Sequence, residues 1–411
     1  MKTNTGILLA LMMLLEYFIW GSWYVTMGTY MGEHLHSSGL QIGAAYSALA
    51  IATMISPFFV GMVADRFFAA QRIMGVLHLI GAGLLFYATT ITDNTLFYWL
   101  VVLYSLLYMP TIALSNSVAF SQMSDPGKQF PWIRVWGTIG WIVSGVLISN
   151  LGIEKTNSTF IMAAIASAAL GLYSFVLPNT PPKAKSAPAG SASKALGTEA
   201  FVLFKDKPYL IFFIAAILVC IPLSFYYGFA NPFLNEINVS NAASKMTLGQ
   251  VSEGLFILSI PFLFNRIGVK NMLLMGISAW VLRYICLAYG NTGSNLWMIY
   301  AGIILHGVCY DFFFVTGYMY TEKKAGEKIK SAAQGLFTFA TYGVGMFIGT
   351  WFSGIIVDKY KLAEGHNWNG IWLVPAYIAI GVLVYFILFF REKRQIPVAG
   401  VPENVSVPEV A

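Results

Sequence analysis

Charge is what this sequence has least of. Only 10% of its 411 residues are Asp, Glu, Lys or Arg, against about 25% in a soluble globular domain. A chain this long with so few charges cannot clothe its surface in water, which excludes the soluble globular classes. Cysteine is nearly absent. Cys220, Cys286 and Cys309 each stand alone inside an apolar run, a spacing that excludes a disulfide framework or a thiolate metal cluster and reads as small buried hydrophobes. No Ser-His-Asp set, metal-ligand cluster or phosphate-binding loop is recognisable, so neither catalysis nor a cofactor is expected. The net charge of +6 is spread over short segments between apolar stretches and sets topology; it does not point to nucleic acid. The N-terminal apolar run, 6–31, has no small-x-small cleavage site and contains Glu16. It is too long for a signal peptide and is expected to be a membrane helix.

What the chain has is apolar length. Hydrophobic residues make up 57%, mean hydropathy is +0.69, and there are 31 Phe, 22 Tyr and 11 Trp, the composition of a lipid-solvated protein with aromatic belts. Stretches long enough to cross about 30 Å of hydrocarbon recur at roughly 6–31, 39–64, 72–91, 96–120, 132–151, 158–177, 208–235, 246–264, 271–290, 295–320, 331–357 and 369–390. Twelve spans put both termini on one side. Of the 24 Lys and Arg, 18 fall on that side, and only Lys155, Lys245, Lys359 and Lys361 on the other; Arg134 and Arg283 lie within spans. The positive-inside bias makes the termini cytoplasmic and the membrane the bacterial inner one.

The longest cytoplasmic segment, 179–207, opens Asn179-Thr180-Pro181-Pro182 and continues in Ser, Ala, Gly and Lys, a linker composition. It divides the chain into an N-terminal six-helix bundle (1–178) and a C-terminal one (208–391), with a polar, Pro-containing tail (392–411) expected to be disordered. A faint echo, Ser56-Pro57-Phe58 before Asp65-Arg66 and Ser259-Ile260-Pro261-Phe262 before Asn265-Arg266, is compatible with duplication. The expected fold class is an all-α membrane protein of twelve transmembrane helices in two six-helix bundles, as in the major facilitator architecture, with a solute site between the halves. Pro57, Pro110, Pro222 and Pro261 fall within spans and are expected to kink them. Gly343, Gly345 and Gly349 suggest close packing of the eleventh.

Ionisable residues inside membrane spans are costly and face a cavity or a partner. Histidines aside, there are five: Glu16, Arg134, Glu253, Arg283 and Asp311. Arg134 and Thr138 share a helix face, with Trp141 a turn further on. A guanidinium, a hydroxyl and an indole in a row suit a polar, ring-bearing ligand; the plainer reading is an arginine pairing with lipid phosphate. Gln250 and Glu253, three apart, can fix sugar hydroxyls or a base edge, unless Gln250 only caps its helix. His306, Tyr310 and Asp311 form a third group. Desolvation favours the neutral form of a carboxylate, which is what a proton-coupled carrier requires; the alternative for Asp311 is a salt bridge to Arg134 or Arg283. Glu16 is either a proton site or hydrogen-bonded to a neighbouring helix. Arg283 is expected in a structural ion pair.

Gly61-x-x-x-Asp65-Arg66, followed by Arg72, resembles the loop signature of major facilitator carriers. An acid there accepts hydrogen bonds from a helix N-terminus and locks one state. It is expected to gate, with an ordinary basic loop as the alternative. Trp20-Gly21-Ser22-Trp23, Ile133-Arg134-Val135-Trp136-Gly137-Thr138-Ile139-Gly140, Ser252-Glu253-Gly254-Leu255-Phe256-Ile257-Leu258 and Asp311-Phe312-Phe313 resemble the bacterial nucleoside:proton symporters of the major facilitator superfamily over almost the whole chain. The resemblance implies a nucleoside cavity lined by Arg134, Thr138, Trp141, Gln250, Glu253, Tyr310 and Asp311. It also marks departures: Ser224 and Tyr227 where the family has Gln and Asn, His306 where it has Tyr, and Glu16 where it has Gln.

The expectation is therefore a proton-coupled nucleoside importer of the inner membrane that works by alternating access, with Asp311, Glu253 or Glu16 carrying the proton. Its partners are a nucleoside or related polar solute, protons and the bilayer. One rival is a carrier of another polar solute, such as a sugar, a modified nucleoside or a cell-wall fragment. Another is a membrane receptor, for which the short linker and tail leave no signalling domain.

Overall fold

A computed structural model describes residues 3–59, 68–182 and 198–391. The loop residues Gly61, Asp65 and Arg66, most of the 179–207 linker and the 392–411 tail lie outside these. Among the described residues, twelve helical spans follow one another: α1 (Asn4–His34), α2 (Gly39–Ser56), α3 (Ala70–Ala88), α4 (Asn94–Ser121), α5 (Lys128–Asn150), α6 (Ser158–Ser174), α7 (Lys207–Glu236), α8 (Ala242–Phe264), α9 (Arg266–Tyr289), α10 (Leu296–Gly326), α11 (Lys328–Lys359) and α12 (Trp368–Phe389). Eleven are long and apolar enough to cross a membrane; α6 has 17 residues.

The few acidic residues explain several helix starts. Asp93 accepts a hydrogen bond from Leu96 N (2.7 Å), Asp125 from Lys128 N and Asp206 from Tyr209 N (both 3.3 Å). Each satisfies a backbone donor the first turn leaves open, and each sits where the helix dipole favours an anion. Asn367 does the same for α12 through Gly370 N at 3.1 Å. Between their ends the spans are apolar on every side. The faces turned outward carry Ile165, Leu172 and Leu258, all well over half exposed, a surface that suits lipid.

Several helices are not regular. α1 loosens at 24–26, α8 tightens to a 3-10 turn over Ile257–Ser259, and α10 and α11 widen to π-helix over Asp311–Val315 and Phe339–Gly345. Pro110 and Pro222 lie inside α4 and α7, and Pro261 follows the 3-10 turn. Irregular backbone within a membrane is tolerated where protein or a cavity surrounds it.

α1–α6 and α7–α12 form two bundles. They meet along α2 with α11 and α5 with α8. Among the described residues, the hydrogen bonds that join them lie at the end remote from the termini. Thr29 Oγ1 donates to Asn231 (2.6 Å), Gly39 N and Leu40 N donate to Asp358 (2.6 and 2.8 Å), and Glu154 accepts from Asn235 (3.2 Å) and Ala243 N (2.8 Å). Glycine makes the approach possible. A Cβ on Gly43 would sit 2.2 Å from the Thr350 carbonyl, and one on Gly354 2.4 Å from that of Gly39. The expected close packing of α11 is also present: a Cβ on Gly343, Gly345 or Gly349 would lie within 2.8 Å of Met54, Cys220 or Ser224.

Candidate functional site

A cavity of about 320 Å³ lies between the two bundles. Its N-terminal wall is built on α5, where Arg134, Thr138 and Trp141 recur at intervals of four and three and so line one face. The C-terminal wall takes Tyr227 from α7, Gln250 and Glu253 from α8, and His306 and Tyr310 from α10. Eight of the ten residues expected to bind solute therefore border one space.

Ser224 and Asp311 do not. Ser224 is fully buried and turned toward α11: its hydroxyl donates to the Cys220 carbonyl at 2.8 Å, and a Cβ on Gly349 would lie 2.4 Å from it. Asp311 starts the π-helical stretch of α10, is fully buried, and neither carboxylate oxygen finds a hydrogen-bond partner among the described residues. No salt bridge to Arg134 or Arg283 forms.

Glu16 also lies away from the cavity, inside the N-terminal bundle. Its Oε2 is 3.0 Å from His78 Nε2, and its Oε1 accepts from Thr111 Oγ1 at 2.6 Å. Ser167 Oγ lies 3.2 Å from the other nitrogen of His78. Of the residues expected to gate, only Arg72 is described; it is exposed at the start of α3.

The wall is richer in aromatics than the α5 and α10 motifs indicate. Tyr17, Trp20 and Tyr24 on α1, Tyr46 on α2 and Tyr342 on α11 all border the cavity. The signal was present as i, i+3, i+7 spacing in α1, but in an all-apolar helix such a stripe does not separate cavity from core. Trp20 meets Trp141 edge-on with centroids 5.4 Å apart, and Tyr24 of one half reaches Tyr227 of the other at 5.7 Å. The hydroxyls of Tyr310 and Tyr342 are hydrogen-bonded.

Arg134 points inward, not to lipid. Its guanidinium lies over the Tyr17 ring at 4.0 Å, a cation–π contact. On the facing wall Glu253 keeps 29% of its side chain exposed, and His306 Nε2 approaches its Oε2 at 3.9 Å. The expected ion pair of Arg283 is replaced by a different partner: its Nη1 meets His306 Nδ1 at 2.8 Å. Arg283 thus stands directly behind the cavity wall, against His306.

The site offers flat aromatic faces, a fixed cation, a carboxylate and neutral groups that both donate and accept. Among the described residues no three His, Cys, Asp or Glu side chains converge to hold a metal ion. Such an arrangement can stack against a flat ring and hydrogen-bond to its polar groups.

Known proteins share both chain and fold. The family model described as nucleoside H+ symporter matches residues 1–395. A putative nucleoside transporter, YegT, of Escherichia coli K12 is 41% identical over 96% of this chain and 95% of its own. The xanthosine permease of the same organism is 38% identical over 93% and 95%. The crystal structure of the nucleoside transporter NupG superimposes with a TM-score of 0.88 at 34% identity, covering 95% of this chain and all of that one. The chain belongs to the nucleoside:proton symporter family.

Proposed function

We propose that this protein imports nucleosides across the bacterial inner membrane, coupled to proton entry, by alternating access. The observation that carries the reading is the cavity between the halves, where aromatic faces and mixed donors and acceptors meet. A nucleoside is a flat base joined to a polyhydroxyl ring. Trp141, Trp20 and Tyr310 suit the base, and Arg134, Thr138, Gln250 and Glu253 suit its polar edges and the ribose. Family membership supports the same solute class.

Among the described residues, the hydrogen bonds between the halves lie at the end away from the termini, which is the outer end if the positive-inside bias is obeyed. This describes an inward-open state, and rocking about the midplane site would open the other side. Gly61, Asp65, Arg66 and Arg72 are proposed to gate on their loop signature alone.

Among the three acids, the surroundings favour Glu253 and Asp311 as proton carriers. Glu253 faces the solute, and Asp311 has no fixed partner. Both oxygens of Glu16 are committed within one bundle. Asp311→Asn should therefore abolish uphill uptake while leaving exchange of internal for external solute; unchanged accumulation would remove Asp311 from coupling.

The decisive test is uptake of radiolabelled uridine and adenosine into proteoliposomes, with and without an inward proton gradient. Gradient-dependent accumulation is expected. Folded protein that takes up neither would move the proposal to another polar solute, a reading favoured by His306 and Tyr227 standing in the wall where the family resemblance has other residues.

A further inference from the structure

The C-terminal wall holds a buried cation that the proposal above does not use. Arg283 is fully buried in α9, its guanidinium over the ring of Tyr226 at 3.5 Å. Its Nη1 lies 2.8 Å from His306 Nδ1 and 3.4 Å from Cys309 Sγ. A guanidinium only donates hydrogen bonds. His306 Nδ1 must therefore accept, since a proton there would set donor against donor. The single proton of the neutral ring is left on Nε2.

Nε2 faces Glu253. The other groups around the imidazole, Tyr226 and Tyr227 of α7 and Tyr310 of α10, meet it through ring contacts with centroids 5.5–6.3 Å away. His306 borders the cavity, and its Nε2 lies 3.9 Å from a carboxylate oxygen of Glu253. That is too long for a direct hydrogen bond, yet it admits one oxygen atom about 2.8 Å from each. With Glu253 ionised, such an oxygen has to accept from Nε2–H and donate to the carboxylate. A hydroxyl does both; a carbonyl or ether only accepts, and an ammonium only donates.

We infer that Arg283 fixes the tautomer of His306, and that the His306–Glu253 pair so formed reads a hydroxyl of the transported solute. Arg283 is a positioning residue; His306 and Glu253 touch the ligand. The inference rests on the nucleoside reading, in which the hydroxyl belongs to ribose, and it makes the carrier select ribonucleosides over one class of deoxynucleoside. A site built to bond a hydroxyl rejects the analogue that lacks it, because its buried groups are left unpaired.

The test is inhibition of labelled uridine uptake by unlabelled uridine and by 2′-, 3′- and 5′-deoxyuridine. In the wild type, removal of one particular hydroxyl should weaken inhibition about tenfold or more, and the other two removals should do less. His306→Phe should flatten that preference. His306→Gln, whose amide N–H can donate and which has no ring tautomers, should keep it. Arg283→Gln should flatten it, and combining Arg283→Gln with His306→Gln should restore it, which a merely structural role of Arg283 would not do. The two His306 variants leave Arg283 in place, so they decide the matter even if Arg283→Gln fails to fold. Equal inhibition by all three deoxy analogues in the wild type, or an intact preference in His306→Phe, overturns the hydroxyl reader alone. No nucleoside uptake by the wild type overturns the nucleoside reading and this inference with it.

Discussion

Arg134 and Glu16 illustrate two fates of a charge in a membrane span. Arg134 keeps part of its surface in the cavity and rests on Tyr17, so its donors remain available to a ligand. A hydrogen bond to a charged group contributes about 1.5–3 kcal/mol. Arg134→Ala should weaken uridine binding by one to two orders of magnitude, measured on detergent-purified protein; wild-type affinity would mean that Arg134 makes no bond to the ligand. Glu16 is spent inside its bundle on His78 and Thr111. Leaving a buried hydrogen-bonding group without its partner costs about 1–3 kcal/mol. Glu16→Ala should therefore lower thermal stability markedly, whereas Glu16→Gln, which can still accept from Thr111, should keep the proton-driven accumulation ratio of the wild type. Loss of that ratio in a stable Glu16→Gln protein would put Glu16 back among the coupling groups. The positions of these five charges were legible in the sequence, because a charge in an apolar run stands out. Their partners were not. Arg283 finds His306 through the packing of α9 on α10, and no periodicity within one helix encodes its neighbour.

Single helices show the same division. Span lengths and order could be read from apolar runs, since hydrophobic thickness is a local requirement. Which face a helix turns to the cavity could be read only where polar groups repeat at helical spacing, as in Arg134–Thr138–Trp141. α7 has no such marker, so Ser224 and Tyr227 looked equivalent; the first packs on α11 and the second lines the cavity. The π-helical stretches were not legible either, because they depend on local compensation. Within one of them Thr341 Oγ1 donates to the Phe337 carbonyl at 2.7 Å, covering backbone that widening leaves open. The start of α2 depends on the other half of the molecule. Asp358 of α11 accepts from both Gly39 N and Leu40 N, so an N-cap is supplied across the seam. Losing a cap costs about 0.5–2 kcal/mol. Asp358→Ala should shift the equilibrium away from the state shown by that amount, seen as faster thiol labelling of a cysteine placed at Thr29. An unchanged rate would mean that the contact does not help to hold the seam shut.

For the molecule as a whole, the seam is a demand as well as a contact. If the halves rock, the bonds Thr29–Asn231, Glu154–Ala243 and Ser149–Ser244 have to break together in each cycle, because they lie along one edge of two rigid bundles. Ser149 Oγ accepts from Ser244 N at 2.9 Å, one residue from each half. A cysteine at each position, joined by a short bifunctional thiol reagent, should hold that end closed. Cys220 and Cys309 are buried and Cys286 is partly so; replacing Cys286 removes the most accessible native thiol. The cross-linked protein is expected to lose uridine transport entirely yet still bind uridine, since the cavity lies toward the other end and its walls are not altered. Cleaving the linker should restore transport. Binding without transport identifies the seam as the moving part. Transport that survives complete cross-linking would require a path for the solute that does not separate the halves here, and the rocking mechanism would have to be abandoned.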